Sequence, residues 1–301
     1  MFDPTKIKLG IAPIGWTNDD LPELGGDISF ERCIKEMEIA GFAGTEIGSK
    51  FPKDVDVLKN KLKQHGLQIA SQWFSAHLSD PAKKDETVSA FRMHMNKLKD
   101  LGAEVIVVSE QNKSIQGQIS VPVLQDKPVL NDEEWGLFVR GLEEIGKLAQ
   151  KEGMKIVYHH HMGTVIQTRD EIDRLMDNTD PELVFLLADT GHMYYSDGAG
   201  SPAQLIKDYG ERIAHIHLKD IRESVKKRVR REKLSFLQGV IQGVFTVPGD
   251  GDINFPDIFE AIKRAGYEGW FVVEAEQDPS KADPLEYAQN ARAYIRETTG
   301  L

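Results

Sequence analysis

The chain has 301 residues, of which 28% are charged and 40% hydrophobic, and its formal net charge is −11. This length suits two ordinary domains or one large α/β barrel, and the acidic balance argues against a protein that grips nucleic-acid phosphates. A single cysteine excludes a disulfide framework, and with no secretory signal and no apolar run of eighteen residues we expect a cytoplasmic protein outside the membrane.

A unit of predicted helix, glycine and short apolar run repeats along the chain. Glycine just after a helix suits the left-handed backbone found there, because it has no Cβ to clash. The runs are apolar on both faces, which is typical of parallel strands covered by helices. In chain order, the eight predicted strands lie in IKLGIAPIGW, EIAGFAGTEIG, LKQHGLQIAS, LKDLGAEVIVV, AQKEGMKIVYH, LVFLLADTGH, KDYGERIAHIH and KRAGYEGWFVV.

Eight predicted helices alternate with these strands and carry apolar stripes. In the first helix, Cys33 shares a face with Phe30 and Met37, so we expect it to pack in the core and not to act as a nucleophile. Strand then helix, eight times over, predicts a single (β/α)8 TIM barrel that comprises residues 1–301 as one domain. A doubly wound sheet is the alternative, but APIGWTNDD after the first strand lacks the G-x-G-x-x-G phosphate fingerprint.

Two long stretches, Gln111–Asn131 and Arg222–Gly251, are predicted to be irregular. In a barrel, loops that follow strands build lids and substrate walls. The second stretch includes KKRVRREK (Lys226 to Lys233), which we interpret as a solvated helix or lid. A phosphate-binding patch is the less favoured alternative.

Polar side chains follow the last four predicted strands, at the end where barrel enzymes build their active sites. Each alone is typical of a structural hydrogen bond or a surface charge, but their coincidence on four neighbouring strands predicts a metal site. Imidazole and carboxylate together suit Mn²⁺, Co²⁺, Zn²⁺ or Fe²⁺ and not Ca²⁺. Taken strand by strand, these residues are His159 and His161, then Asp189 and His192, then His215, His217 and Lys219, then Glu274 and Glu276.

Several of these stretches resemble the xylose isomerase-like TIM barrels, which include sugar isomerases, epimerases and dehydratases. DTGH and HIHLKD indicate only that superfamily, whereas LGIAPIGWTNDDLPELGG, YHHHMGT, LLADTGHMYY, VPGDGDINF and VVEAEQDP are similar to the inosose dehydratase family over essentially the whole chain. The resemblance implies a lyase of myo-inositol catabolism that dehydrates scyllo-inosose (2-keto-myo-inositol) to a trihydroxycyclohexane-1,2-dione. It also implies manganese or cobalt, with zinc as an alternative, and glutathione, although no residue of the sequence indicates a glutathione site.

The resemblance assigns metal ligands as well. Asp189, His217 and Glu274 match the ligands that the superfamily carries on its sixth, seventh and eighth strands. The usual glutamate of the fifth strand is absent, and His159 stands in its place. The fourth ligand is therefore open among His159, His161 and a water molecule, and we favour His159, with His161 binding substrate.

The implied chemistry needs a base, an acid and a cation. Loss of the proton beside a ketone gives an enediolate, which a metal stabilises, and the β-hydroxyl needs a proton to leave. We assign catalytic roles to Lys219 (electrostatic), His192 and Glu46, while a salt bridge of Lys219 to Asp220 or another carboxylate is equally consistent with the sequence. The candidate bases and acids are Glu46, His161, His192, Lys219 and Glu276.

A cyclitol also needs a wall for its flat ring of CH groups and partners for its hydroxyls. Trp16 ends the first predicted strand, and Gln72 and Trp73 end the third. We expect Trp16, Gln72, His161 and Glu276 to contact substrate, with Trp16 as a plug of the barrel mouth as the alternative. His160 has the opposite strand parity to its neighbours and is predicted to pack behind the barrel.

Three other functions compete with this interpretation. A metal-dependent sugar or inosose isomerase or epimerase would use the same enediolate and differ only in its product. A DNA-repair nuclease on the same barrel needs a cationic groove, which the net charge argues against. A non-catalytic sugar-binding protein typically has a signal peptide and a hinge. The expected partner is therefore a small cyclitol or keto-sugar, with no nucleic acid and no membrane, and the sequence leaves open whether the chain forms a homo-oligomer.

Overall fold

A computed structural model describes residues 1–301 as a parallel barrel enclosed by helices, which confirms the predicted TIM-barrel class. The strands are β1 (Ile7–Ile11), β2 (Gly44–Glu46), β3 (Gln68–Ser71), β4 (Trp73–Ala76), β5 (Val105–Glu110), β6 (Lys155–His159), β7 (Val184–Asp189), β8 (Ile213–Leu218), β9 (Asp220–Ile221), β10 (Phe245–Thr246) and β11 (Gly269–Val273). Nine of them follow one another around the barrel in the order β3-β2-β1-β11-β8-β7-β6-β5-β4, and β9 and β10 form a separate antiparallel pair.

Helices cover the outside of this barrel, and some form part of the long connections between its strands. They are α1 (Phe30–Ala40), α2 (Val55–Gln64), α3 (Lys84–Asp100), α4 (Asp132–Lys151), α5 (Arg169–Asn178), α6 (Thr190–Asp197), α7 (Ser201–Tyr209), α8 (Glu223–Glu232), α9 (Phe236–Ile241), α10 (Phe255–Arg264) and α11 (Pro284–Thr299), with two 3-10 turns at Pro13–Gly15 and Gly210–Arg212. None of the eleven is both long enough and apolar enough to cross a membrane.

The third predicted strand is split at Gln72 into β3 and β4. β3 pairs with β2 and β4 pairs with β5, so the break would leave a gap in the backbone ladder. The Ser71 hydroxyl fills this gap, because it donates to the carbonyl of Val105 and accepts from the amide of Val107, each at 3.1 Å. The eight predicted strands therefore become nine pieces, and a side chain closes the barrel where backbone pairing is interrupted.

The predicted helix-ending glycines are mostly where the repeat indicates. Gly210 is the exception: its φ is −50°, and it begins a 3-10 turn that leads directly into β8. The glycines that do adopt the left-handed backbone are Gly41, Gly66, Gly102, Gly153 and Gly266.

One contiguous hydrophobic core of 77 buried residues lies between the barrel and its helices. Cys33 is among them, 2% exposed, and burial raises the pKa of its thiol. The predicted packing role of Cys33 on the inner face of α1 is therefore confirmed.

The two long stretches predicted to be irregular differ in structure. No helix or strand lies between Gln111 and Asn131, as expected. Arg222–Gly251 is more ordered than predicted, because it contains α8, α9 and β10. The basic run Lys226–Lys233 lies on and just beyond α8, and most of it is exposed, in agreement with a solvated helix.

Candidate active site and metal centre

A cavity of about 710 Å³ opens at the carboxyl ends of the barrel strands. Only four of its 23 lining residues are hydrophobic, so the cavity suits a polar ligand. Its floor includes Glu46, His159, His217 and Glu274, which lie at or next to the carboxyl ends of four different strands. The barrel architecture thus brings together side chains that lie far apart in the sequence.

Asp189, just beneath this floor, converges with His217 and Glu274 on one point. The Nδ1 atom of His217 lies 3.5 Å from Asp189 Oδ2 and 3.8 Å from Glu274 Oε2. Asp189 Oδ2 and His217 Nδ1 are buried atoms without a hydrogen-bond partner. Such atoms are costly unless something binds them. Two carboxylates and an imidazole at this spacing fit a divalent transition-metal ion.

Glu46 orients His217 from its other side. Its Oε1 atom lies 3.2 Å from His217 Nε2 and 2.9 Å from His215 Nε2. Because a carboxylate accepts, His217 donates through Nε2 and presents Nδ1 to Asp189 and Glu274. Burial raises the pKa of Glu46, but the charges and hydrogen bonds of the two histidines outweigh burial and hold it well below its usual range. The structure therefore gives Glu46 a contact that positions His217 as well as a place on the cavity floor.

His159 approaches the same point from β6. Its Nδ1 atom donates to the carbonyl of His160 at 2.6 Å, which leaves the lone pair on Nε2, 3.8 Å from Asp189 Oδ2. His160 points the other way and is fully buried, and its Nε2 atom accepts from the Asp189 amide at 3.4 Å. The alternation of the strand thus places His159 in the cavity and His160 behind it.

His161 belongs to a neighbouring group with Glu276. It donates through Nδ1 to the carbonyl of Met162 at 2.9 Å, and its Nε2 atom lies 3.9 Å from Glu276 Oε1. Burial is the largest cause that lowers the pKa of His161, to about 3, so the ring is neutral near pH 7. Both His161 and Glu276 line the cavity.

Lys219 and His192 lie beneath the cavity floor, not on it. Lys219 is fully buried, its ammonium contacts Glu274 Oε2, and it donates to Glu276 Oε1 at 2.8 Å. His192 Nε2 lies 3.0 Å from the same ammonium. Burial lowers the pKa of Lys219, but Glu274, Glu276 and Asp189 outweigh it and raise the pKa, so the lysine remains charged. Neither side chain lines the cavity: Lys219, expected to act electrostatically, and His192, expected to act as a base or acid, support the carboxylates from below.

Asp220 does not pair with Lys219, contrary to the salt bridge considered from the sequence. Its carboxylate accepts from four backbone amides, two on each oxygen, which gathers the loop of the VPGDGDINF stretch around it. A Cβ on Gly251 would approach Asp220 Oδ1 to 2.4 Å, so the loop needs glycine there. The four amides are those of Ile221, Gly249, Gly251 and Ile253.

The expected substrate wall differs at Trp16, whereas Gln72 borders the cavity as expected. Trp16 is 1% exposed, lies outside the cavity and donates through Nε1 to Glu36 Oε2 at 2.6 Å, so it packs towards α1. Gln72 borders the cavity, but its side-chain oxygen lies 3.5 Å from Lys97 Nζ on α3, outside the barrel. The break in the third strand turns Trp73 inwards instead, and Trp73 lines the cavity beside the rings of His159 and His161.

Sequence reasoning missed the polar rim of the cavity. Asp19 and Asp20 come from the loop after β1, and Gln116 comes from the long loop after β5. The available signals were the TNDD stretch of the first loop and the predicted irregularity of the second.

Residues 34–298 match the family described as xylose isomerase-like TIM barrel. A protein from Geobacillus thermodenitrificans named inosose dehydratase is 58% identical over 301 residues, and one of the same name from Clostridium beijerinckii is 54% identical over 301 residues. Both alignments cover 100% of this chain and 100% of the relative.

Solved structures share the fold at much lower identity. The IOLI protein, described with a binding zinc atom, is 17% identical with a TM-score of 0.69, and the match covers 97% of this chain and 96% of that one. A D-psicose 3-epimerase is 18% identical with a TM-score of 0.71, and the match covers 98% of this chain and 100% of that one. At this identity the likeness concerns the barrel itself.

Proposed function

Since the chain belongs to the xylose isomerase-like TIM barrel family, and within it to the inosose dehydratases, we propose that this hydro-lyase converts scyllo-inosose to a trihydroxycyclohexane-1,2-dione. The observation that carries the proposal is the convergence of Asp189, His217 and Glu274 at the floor of a polar cavity. A ring of neutral hydroxyls fits such a cavity, because most of its lining residues carry side chains that can make a hydrogen bond.

We propose that Asp189 Oδ2, His217 Nδ1 and Glu274 Oε2 hold a divalent ion, with His159 Nε2 as the fourth ligand. Each histidine has its other ring nitrogen bound, to Glu46 or to a backbone carbonyl, which is how metal-binding histidines are usually oriented. Manganese or cobalt suits this donor set, with zinc as the alternative. A bound ion supplies Lewis-acid polarisation of the substrate ketone. We assign no residue to glutathione.

Proton transfer falls to Glu276 and His161, because they are the cavity-lining candidates not already bound to a proposed ligand. Their Oε1 and Nε2 atoms lie 3.9 Å apart and can reach one substrate molecule. One proton leaves the carbon beside the ketone and another joins the departing hydroxyl, and we propose that both pass through this pair. Lys219 and His192 hold Glu276 in place from beneath.

The aromatic wall is assigned to Trp73. Its ring is held by a hydrogen bond from Nε1 to the Ser75 hydroxyl at 2.9 Å and lies beside His159 and His161. A flat apolar face next to the catalytic pair suits the CH face of a cyclitol ring.

Mass spectrometry of the product tests the proposal directly. We expect the metal-loaded protein to convert scyllo-inosose into a product lighter by one water, and Glu276→Gln and His161→Ala to retain metal while losing most turnover. A product of unchanged mass would support the competing isomerase or epimerase function, and no turnover by fully metal-loaded protein would contradict both.

A further inference from the structure

The cavity contains carboxylates but no lysine or arginine. A site for a phosphorylated or carboxylated sugar needs a cationic partner for the anion, and like charges placed side by side are costly. The carboxylates that line the cavity are Asp19, Asp20, Glu46, Glu274 and Glu276. Three of them belong to the floor and the proton-transfer pair, which leaves Asp19 and Asp20 without a role in the chemistry.

Both aspartates are presented by a fixed turn after β1. Asn18 is 3% exposed, and its side-chain oxygen accepts from the amides of Asp20 and Leu21 at 2.9 Å each. The buried asparagine therefore fixes the backbone, while the two aspartate side chains are exposed on the cavity rim. Asp19 is bound by the Ser49 hydroxyl from the loop after β2.

Asp20 is held from across the cavity. Gln116 donates through Nε2 to Asp20 Oδ2 at 3.1 Å, so one carboxylate oxygen is bound while Oδ1 has no side-chain partner. The loop that carries Gln116 rests on the turn after His161, where the Ile115 amide donates to the Gly163 carbonyl at 2.9 Å. Gly163 has a φ of +82°, and a Cβ there would approach the Gln116 backbone nitrogen to 2.9 Å. The rim is thus built from the loops after β1, β2 and β5, and the turn at Gly163 supports the last of them.

We propose that Asp20, positioned by Gln116, is a specificity-determining residue that accepts a hydrogen bond from a substrate hydroxyl on the loop side of the cavity. This inference rests on the proposed function for the nature of the substrate. A site built to bind a hydroxyl discriminates strongly against ligands without it, because its own polar group is then left unpaired. The same carboxylate repels anionic analogues, so the cavity selects neutral polyols.

The test compares Asp20→Asn with Glu23→Gln in the metal-loaded protein. Glu23 lies on the same loop, is exposed and does not line the cavity, so it controls for the loss of one negative charge. We expect Asp20→Asn to weaken calorimetric binding of myo-inositol and to raise KM for scyllo-inosose, each by about tenfold, with kcat changed by less than about twofold. Glu23→Gln should leave all three quantities unchanged.

Gln116→Ala and a set of monodeoxy-inositols make the assignment specific. We expect Gln116→Ala to weaken binding less than Asp20→Asn, and the double variant to bind no worse than Asp20→Asn alone. One monodeoxy-inositol should bind the wild-type protein as weakly as Asp20→Asn binds myo-inositol, and should lose nothing further in that variant.

Different results overturn the inference and the proposed function. Binding by Asp20→Asn that matches Glu23→Gln, or a wild-type protein that binds no cyclitol, would overturn the role of Asp20. Cyclitol binding that depends on Asp20 without any dehydrated product would overturn the proposed function and leave the specificity role standing.

Discussion

Three consecutive histidines occupy three different environments, so their alanine variants should differ. We expect His159→Ala to lose most bound metal, because Nε2 faces Asp189. His161→Ala should retain metal and lose turnover, since it lies beside Glu276. His160→Ala should retain both with a lower melting temperature, because it packs behind the strand and binds the Asp189 amide. Metal analysis, turnover and thermal melting check all three. Loss of metal in His160→Ala alone would mean that the opposite strand face carries the site.

A second residue-scale prediction concerns Glu110, a fully buried carboxyl group at the end of β5. Burial raises its pKa from 4.5 to about 7, although the amide of Leu78 and the hydroxyl of Ser79 donate to it. The folded protein therefore binds this proton more tightly than the unfolded chain does, and stability from this group is present below pH 4.5 and lost as the pH rises through about 7. The shift corresponds to about 3 kcal/mol.

Glu110→Gln removes this titration and isolates it from the other groups. We expect the free energy of unfolding of the wild-type protein to fall relative to Glu110→Gln between pH 4.5 and pH 8, as measured by urea denaturation. A difference between the two proteins that stays constant over this range would contradict the prediction.

At the scale of elements, the break between β3 and β4, which we call the seam, is closed by a single hydroxyl, that of Ser71. Ser71→Ala leaves the carbonyl of Val105 and the amide of Val107 without their partner. We expect a loss of about 2 kcal/mol in the free energy of unfolding, because buried polar groups without partners are costly. Ser89→Ala is the matched control, since that serine is exposed on α3 and bonds only within its own helix. Equal stability of the two variants would mean that the seam is closed by other contacts.

The elements that could be predicted are those whose pattern repeats. Apolar runs after helix-ending glycines located the barrel strands, and polar residues at their ends located Asp189, His217 and Glu274 in one cluster. The break at Gln72 could not be predicted, because the segment QIASQWFSA has the pattern of a single continuous strand. That break also gives Trp73, the residue after Gln72, a place on the cavity wall beside it.

The local sequence pattern also gave wrong positions for side chains that bind a residue on a distant element. Trp16 follows a barrel strand as an active-site residue would, but its indole is buried and donates to Glu36 on α1. Lys219 was expected to share a strand face with His217, but its ammonium lies beneath the floor, where it contacts the carboxylates of Glu274 and Glu276 just after β11. These outcomes depend on contacts between elements, which strand alternation does not encode.

At the scale of the whole molecule, the proposed metal site links four strands that are adjacent in the barrel, β6, β7, β8 and β11. A ligand that binds only the folded state stabilises it, by about 4 kcal/mol at a thousand times its dissociation constant. We therefore expect added Mn²⁺ or Co²⁺ to raise the melting temperature and a chelator to reverse the rise.

Asp189→Asn is the control for this experiment. The asparagine side chain can still accept through Oδ1 from the backbone N–H of His192, as the aspartate does at 2.8 Å. The N-terminal cap of α6 is therefore kept. The substitution replaces Oδ2, the oxygen that faces His159, His217 and Lys219, with a neutral NH2 group. The metal-dependent rise in melting temperature should disappear in this variant, and an undiminished rise would place the ion elsewhere.

The seam at Gln72 is also where we expect the closed barrel to open locally. Elsewhere neighbouring strands are joined by rows of backbone hydrogen bonds, but here one rotatable hydroxyl bridges the gap. Local opening at this point has a lower free energy than opening of a continuous ladder, so amide hydrogen exchange begins there while the rest of the barrel stays protected. Trp73 is the first residue beyond the seam, so we expect the same local opening to displace the aromatic wall of the cavity. We therefore expect local opening of the barrel at this break to coincide with entry of a ligand into the cavity.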